Sequence, residues 1–212
     1  MADNQMSSNR QVVFDYINEN VIFRCDPTKK YNEELVGKLP SRNPSNGGYA
    51  SQFFMRRLTH NVDMMSIVMD MFEPFIDNII ESIESDDGFQ LCGMETGSLP
   101  IIAALQYHIK YMYGENINAF TVRKERKAYG LFNYIEGEPN DMPVVYVDDL
   151  INSGASVGRC ANIVEREIGK LGYAGAWAIV SKRIDVQSLY SWNDFNLEYD
   201  KDLYWEPKGI LA

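Results

Sequence analysis

Two uninterrupted apolar runs, VVYV at 144–147 and AWAIV at 176–180, flank a segment in which Val157, Cys160, Ile163, Val164, Ile168 and Leu171 recur at helical spacing. A strand that is apolar at every position must be covered on both faces, and the segment between marks one face of a helix ending near Gly172. Strand, helix and strand in that order call for a crossover connection, which joins parallel neighbours. The chain therefore needs an α/β fold, a mostly parallel sheet flanked by helices.

The same alternation extends upstream. GFQLCG at 88–93 and the run at 117–122 predict two further strands. Between them METGSLPIIAALQYHIKYMYG turns tightly and then favours helix from Pro100, a residue suited to a first helical turn. From 61 to about 85, Met65, Val68, Phe72, Phe75, Ile76, Ile79 and Ile83 share one helical face, with Pro74 placed to kink or divide the helix. Val12, Val13, Phe14 and Ile17 fit a short helix, and 31–50 is a long stretch rich in turn residues. The sequence shows neither an internal repeat nor a low-complexity segment. At 212 residues and 45% hydrophobic content it supports one core, so a single domain over 1–212 is expected.

Charge narrows the partners. Twenty basic side chains against 30 acidic ones give a formal charge of -10, a field that disfavours nucleic acid and anionic membrane as main partners. A small phosphorylated ligand remains compatible, since its site can be locally basic. Cys25, Cys92 and Cys160 are odd in number, far apart and without metal-ligand spacing, so no disulfide framework is indicated. The opening MADNQMSSNR is polar with no apolar core after it, and no apolar run approaches a membrane span. A soluble chain in a reducing cytoplasm is the expectation.

In sheets of this kind ligands gather beyond the carboxyl ends of the strands, where the polar clusters of this sequence fall. VVYVDDLINSGAS drives an apolar strand into Asp148 and Asp149, expected directly after the strand with their side chains pointing to opposite sides. Ser153, Gly154, Ala155 and Ser156 then lead into a helix, whose unpaired first amides and positive dipole end suit phosphate. Gly154 permits the torsions of an anion-binding turn. Neither GxxxxGK nor GxGxxG is present, which removes a Walker loop and a dinucleotide fingerprint. The stretch asks for a ligand with phosphate at one end and hydroxyls or a metal at the other. TVRKERKAYG at 121–130 adds Arg123, Lys124, Arg126 and Lys127, a basic cluster suited to diphosphate in an otherwise acidic chain. His60 and His108 lie in helical or flanking contexts with no nucleophile to serve, and read as ordinary polar residues.

VVYVDDLINSGAS resembles the phosphoribosyl-pyrophosphate (PRPP) signature of type I phosphoribosyltransferases. In that family the acidic pair meets the ribose hydroxyls, directly or through metal-bound water, and the loop wraps the 5'-phosphate. The resemblance assigns the ribose to Asp148 and Asp149, and the phosphate to Asn152, Ser153, Gly154, Ala155 and Ser156; Asn152 stands where the family usually has Thr. TVRKERKAYG resembles the catalytic loop of orotate phosphoribosyltransferases, Arg-Lys-Glu-x-Lys-x-His-Gly, with Arg123, Lys124, Glu125, Lys127 and Gly130 in register and Tyr129 in place of His. It implies a catalytic role for Lys127, supported by Arg123 and Lys124, on a loop that in the family reaches into the neighbouring subunit of a homodimer.

CGMETGSLPIIAAL resembles the family's diphosphate loop, with Thr96 and Gly97 where orotate enzymes often carry an aromatic residue and Lys. GGYASQFFMRRLTHN echoes the Ser-x-x-Tyr/Phe-Phe segment near the base, making Phe53, Phe54 and Arg56 candidates. SKRID offers Arg183 as the base-contacting arginine. The match runs from about 52 to 183; residues 190–205, rich in Tyr and Trp, have no counterpart in it and fit a cover over the base pocket or a dimer edge.

The resemblance implies transfer of the 5-phosphoribosyl group from PRPP to a nitrogenous base, orotate first, with release of diphosphate. It implies Mg²⁺ held mainly by substrate oxygens, with help from Asp148 and Asp149, because all the donors are hard oxygens. It also implies a homodimer, with the N-terminal and C-terminal elaborations near the base site. Two other functions fit the same residues: a non-catalytic PRPP or nucleotide sensor, and a transferase for another pyrimidine or a purine. Tyr129, Thr96, Gly97 and Asn152 are the departures that favour the sensor; the intact Arg-Lys-Glu-x-Lys run favours the enzyme.

Overall fold

β6 (Val144–Ile151) lies near the middle of a six-stranded sheet, and its composition explains why. Its first four residues are buried on both faces, which requires a strand neighbour at each edge and a helical layer above and below. β3 (Gln90–Met94) and β7 (Tyr173–Ser181) pair with it in parallel. Outward from β3 come β4 (Asn118–Val122), parallel, and β5 (Ile135–Gly137), antiparallel. β8 (Gln187–Ser191) closes the other edge in parallel with β7, giving the order β5-β4-β3-β6-β7-β8. β1 (Ile22–Arg24) and β2 (Ser51–Phe53) form a separate antiparallel pair. The computed structural model describes residues 2–40, 47–82, 88–126 and 133–197. The expected mostly parallel sheet flanked by helices is the observed one.

Side chains along the central strands alternate between two cores. Val145, Val147, Trp177 and Ile179 face one layer, made by α1 (Ala2–Tyr16), α3 (Val62–Ser82) and α4 (Leu99–Tyr113). Val144, Tyr146, Ala176 and Ala178 face the other, filled by Val157, Cys160, Ile163 and Val164 of α5 (Ala155–Glu167). Cys92 and Cys160 meet there as buried thiols, Sγ to Sγ 3.5 Å. Among the described residues no helix is long and apolar enough to cross a membrane.

Several boundaries depart from the sequence expectation. β6 runs four residues beyond 147, so Asp148 and Asp149 lie within the strand rather than after it; β7 supplies the partners, with Asp148 opposite Ala178 and Ile151 opposite Ser181. Two Asp residues have low strand propensity, and ladder pairing overrides it. α3 continues through Pro74 as one helix, because its buried face against α1, β7 and β8 outweighs one missing backbone bond. α5 stops at Glu167, short of Gly172; Gly169 takes φ +122, leaving Leu171 to pack on the core from a loop. The strands β5 and β8 and the pair β1–β2 were outside the sequence expectation, being short and largely polar.

Gln90, fully buried at the start of β3, ties the amino-terminal edge of the sheet to the loop before β6. Its Nε2 donates to the Asn140 and Met142 carbonyls at 2.8 and 2.7 Å, and its Oε1 accepts from Asn118 Nδ2 and the Asn140 amide at 3.2 and 3.1 Å. Every hydrogen-bonding site of the amide is used, so an apolar replacement strands several buried partners at once. Gln90→Leu should destabilise the protein by about 1–3 kcal/mol, read as a lower denaturation midpoint in urea at unchanged slope.

Candidate functional site

At the carboxyl end of the sheet, the loop after β3 folds back onto the acidic end of β6. Gly93 and Gly97 make this approach possible: a Cβ at Gly93 would stand 2.6 Å from the Val147 carbonyl oxygen, and one at Gly97 2.9 Å from Asp148 Oδ1 and 3.1 Å from Asp149 Oδ1. Gly93 has no room for a side chain, and one at Gly97 would have to push the two carboxylates aside. Ser98 Oγ donates to the Met94 carbonyl at 2.8 Å and Glu95 N to the Val122 carbonyl at 2.9 Å, closing the loop; its Glu95–Thr96 peptide is cis. Thr96 and Gly97, assigned from sequence to the same ligand as Asp148 and Asp149, are thus brought against them.

The crowding has an electrostatic consequence. Burial, followed by repulsion from Asp149, raises the Asp148 carboxyl from its usual range to about 7. Burial also raises Asp149, offset by the Leu150 amide, by Asp148 and by the Arg56 guanidinium. Asp149 N donates to Asp148 Oδ1 at 3.0 Å, and Lys124 pulls weakly the other way on Asp148. Such a pair, short of positive charge and hydrogen-bond donors, is suited to hydroxyl groups or to a cation carried in by a ligand. Among the described residues no three His, Cys, Asp or Glu side chains cluster as a metal site of their own.

Beyond β6, Asn152 and Ser153 are exposed and Gly154 takes φ 79, a left-handed turn that opens α5. Gly154 provides no side-chain cap; the Ala155 amide finds Ser153 Oγ at 3.4 Å, and the following first-turn amides are those a helix leaves for an external acceptor. Ala155 and Ser156, both exposed, sit in that first turn.

The aromatic candidates line a third side. Phe53 and Phe54, with Met55, Arg56, Arg57, Asp149 and Leu150, bound a cavity of about 380 Å³ that reaches the second acid of the pair. Phe54 is half exposed, while the buried Phe53 ring stacks obliquely on Trp192 at 4.6 Å and meets Phe195 edge-on at 5.5 Å. Residues 190–195 therefore back this wall; the rest of the aromatic C-terminal stretch, from 198, lies outside the described residues. Arg56, which opens the four-residue helix α2 (Arg56–Thr59), donates through Nη2 to Thr96 Oγ1 at 2.6 Å, joining the cavity to the loop.

The basic run divides. Arg123 is held between Glu95 at 3.5 Å and Glu136 at 3.2 Å, and Arg126 pairs with Glu167 at 3.0 Å beside the Tyr134 ring. Lys124 is exposed, its carbonyl accepting from Arg159. Lys127, Tyr129 and Gly130 lie outside the described residues. Arg183 directs its guanidinium to Asp185 and to the Ser153 carbonyl. Sequence reasoning passed over its neighbour Lys182, whose ammonium lies 3.6 Å from the Trp192 ring centroid; desolvation there draws it down to about 8 although the residue as a whole is exposed. A lysine at a strand end gives no sequence signal of an indole contact ten residues later.

No family model matches the chain. It is 27% identical over 173 residues to orotate phosphoribosyltransferase of Methanosphaera stadtmanae, spanning 80% of this chain and 91% of that relative. A second relative of the same name, from Streptomyces coelicolor, is 32% identical over 97 residues, 45% of this chain and 53% of its own length, and others are spanned over little more than half. Among solved structures, a phosphoribosyltransferase from Corynebacterium diphtheriae superposes with TM-score 0.62 at 17% identity, covering 90% of this chain and 99% of that one. Adenine phosphoribosyltransferase of Saccharomyces cerevisiae does so with TM-score 0.53 at 13% identity, covering 90% and 92%. The fold is that of type I phosphoribosyltransferases, and the sequence is similar to the orotate enzymes.

The raised carboxyl makes a stability test. Asp148 titrates near 3.9 when unfolded and near 7 when folded, so its favourable share is complete below about 4 and is lost as pH rises through about 7, where the charge is forced in beside Asp149. In chelator-treated protein, Asp148→Asn should melt at least about 4 °C above the parent at pH 8, and the gap should close toward pH 4. Parallel melting curves at both pH values, if offset equally, would show that the carboxyl titrates normally.

Proposed function

We propose that this chain is a phosphoribosyltransferase acting on PRPP, with orotate the first-choice acceptor. The observation that carries the reading is the closure of the Thr96-Gly97 loop onto Asp148 and Asp149, which puts a backbone-lined turn and two charge-hungry carboxylates at the carboxyl end of the sheet. Likeness to orotate phosphoribosyltransferases supports the substrate class.

In this reading the α5 amides and residues 152–156 hold the 5'-phosphate, and Asp148 and Asp149 take the ribose hydroxyls. The base enters the cavity beside Phe53 and Phe54, and the diphosphate lies along Thr96 and Gly97. A base nitrogen forms its bond to ribose C1 as the bond from C1 to the diphosphate oxygen breaks, the electron pair leaving with diphosphate and the proton of that nitrogen passing to solvent. Ribose becomes positive and the carboxylates oppose that charge; the leaving group becomes more negative and Lys124, Arg56 and Lys127 oppose it. Mg²⁺ suits the hard oxygens of the substrate with help from Asp148 and Asp149, and would supply charge neutralisation on the diphosphate. Diphosphate release should be measurable with PRPP and Mg²⁺ in a panel of orotate, uracil and purines, fastest with orotate. Lys127→Ala should lower turnover roughly 100-fold with a much smaller loss of PRPP affinity by calorimetry.

A second reading is favoured by one observation. Arg123 and Arg126, half of the basic run, are occupied by Glu95, Glu136 and Glu167, as they would be in a PRPP or nucleotide sensor that retains the cradle. PRPP binding without diphosphate release from any base, in either direction, would select it.

Assembly as a homodimer in the cytoplasm belongs to the same proposal. Sedimentation at assay concentration should show a two-chain species; a monomer of full specific activity would overturn it.

A further inference from the structure

We propose that Arg183 is a positioning residue for the anion-binding loop, acting through the Ser153 carbonyl rather than touching the base. The inference rests on the phosphate assignment of residues 152–156 but concerns how that loop is held. β7 ends beside β6, with Ile151 opposite Ser181, so the chain leaving β7 lies against the chain leaving β6. Two contacts stitch the two together: Lys182 N donates to the Ile151 carbonyl at 2.9 Å, and Arg183 Nη1 donates to the Ser153 carbonyl at 3.1 Å; within the β7 exit itself, Ser181 Oγ accepts from Arg183 N at 2.9 Å. The remaining edge of the guanidinium is fixed by Asp185, with Nε at 2.7 Å from Oδ1 and Nη2 on Oδ2. The Arg183 side chain is only 6% exposed, so its direction is set by these partners and not by solvent.

The reason a loop of this kind needs a brace is its glycine. Gly154 at φ 79 occupies a region that glycine enters as readily as its mirror, so the Ser153–Gly154 peptide has little intrinsic preference between two orientations. In a planar trans peptide the carbonyl and the N–H point in opposite directions. Holding the Ser153 oxygen on Arg183 therefore keeps the Gly154 N–H on the far side of the turn. A flip of that peptide would exchange a donor for an acceptor at the mouth of α5 and turn an anion-attracting turn into a repelling one. A planar, two-sided fork does what an ammonium cannot: it engages Asp185 along one edge while reaching the carbonyl with the other.

The role predicts an effect on the phosphate side alone. Arg183→Ala should raise the KM for PRPP and the Kd for ribose 5-phosphate, measured by calorimetry, roughly tenfold, with the KM for the base and kcat within about twofold. Asp185→Asn, which loosens the fork without removing the arginine, should give the same pattern at smaller size, and Arg183→Lys should not rescue it. A rise in the KM for the base with ribose 5-phosphate affinity unchanged would make Arg183 a base contact and overturn the proposal. So would uniform loss of binding and activity in step with a lowered melting temperature, no change in any variant, or failure of the parent to bind ribose 5-phosphate. Because that ligand lacks diphosphate, its binding is scored whether or not the protein transfers phosphoribosyl groups: tight binding that weakens in the variants, without diphosphate release, upholds the brace while the transferase reading falls.

Discussion

The backbone of the loop after β3 comes so close to the two carboxylates of β6 that a side chain at Gly97 would have to displace them. Gly93 lets Ser98 and the Val147 carbonyl close on the strand, and Gly97 lets the loop rest on Asp148 and Asp149. That contact excludes water from one side of both acids, and exclusion of water, more than mutual repulsion, drives Asp148 toward the neutral form. Two carboxylates buried side by side are costly to keep charged, and hydroxyl donors or positive charge beside them would relieve that cost.

The fold was legible because each central strand is apolar on both faces, a pattern with few alternatives to a covered parallel sheet. What was not legible depends on neighbours. β6 continues through two Asp residues because β7 offers a ladder of nine residues, a property of 173–181 rather than of 148–151. β5 is three residues long and earns its place by pairing with β4, where Gly137 lies 3.0 Å, measured from a Cβ placed on it, from the Ala119 carbonyl. The acidic pair and the Gly154 turn could be nominated from sequence because small and charged residues at strand ends carry a local signal, whereas Thr96 and Gly97 came from the resemblance of their loop to the family's diphosphate loop. Arg56 on Thr96, Lys182 on Trp192 and Arg183 on Ser153 are contacts across 40, 10 and 30 positions, and no local pattern encodes them.

Charge is the remaining thread. The chain carries -10 overall, yet its site is proposed to take a polyanion, so long-range attraction cannot bring the ligand in. Selectivity must come at close range. Glutamates hold Arg123 and Arg126 in place, which removes much of their net attraction. Lys124, exposed and electrostatically felt by Asp148, retains more of its charge for the site. The result is a mouth in which hydrogen-bond geometry counts for more than field strength. The same economy is proposed at the Gly154 turn, where Arg183 holds the Ser153 carbonyl and the backbone would meet the anion. Arg123, Arg126 and Arg183 work through what they hold, and the surfaces proposed for the ligand are amides, hydroxyls, a few cations such as Lys124 and Arg56, and two carboxylates that burial pushes toward the neutral form.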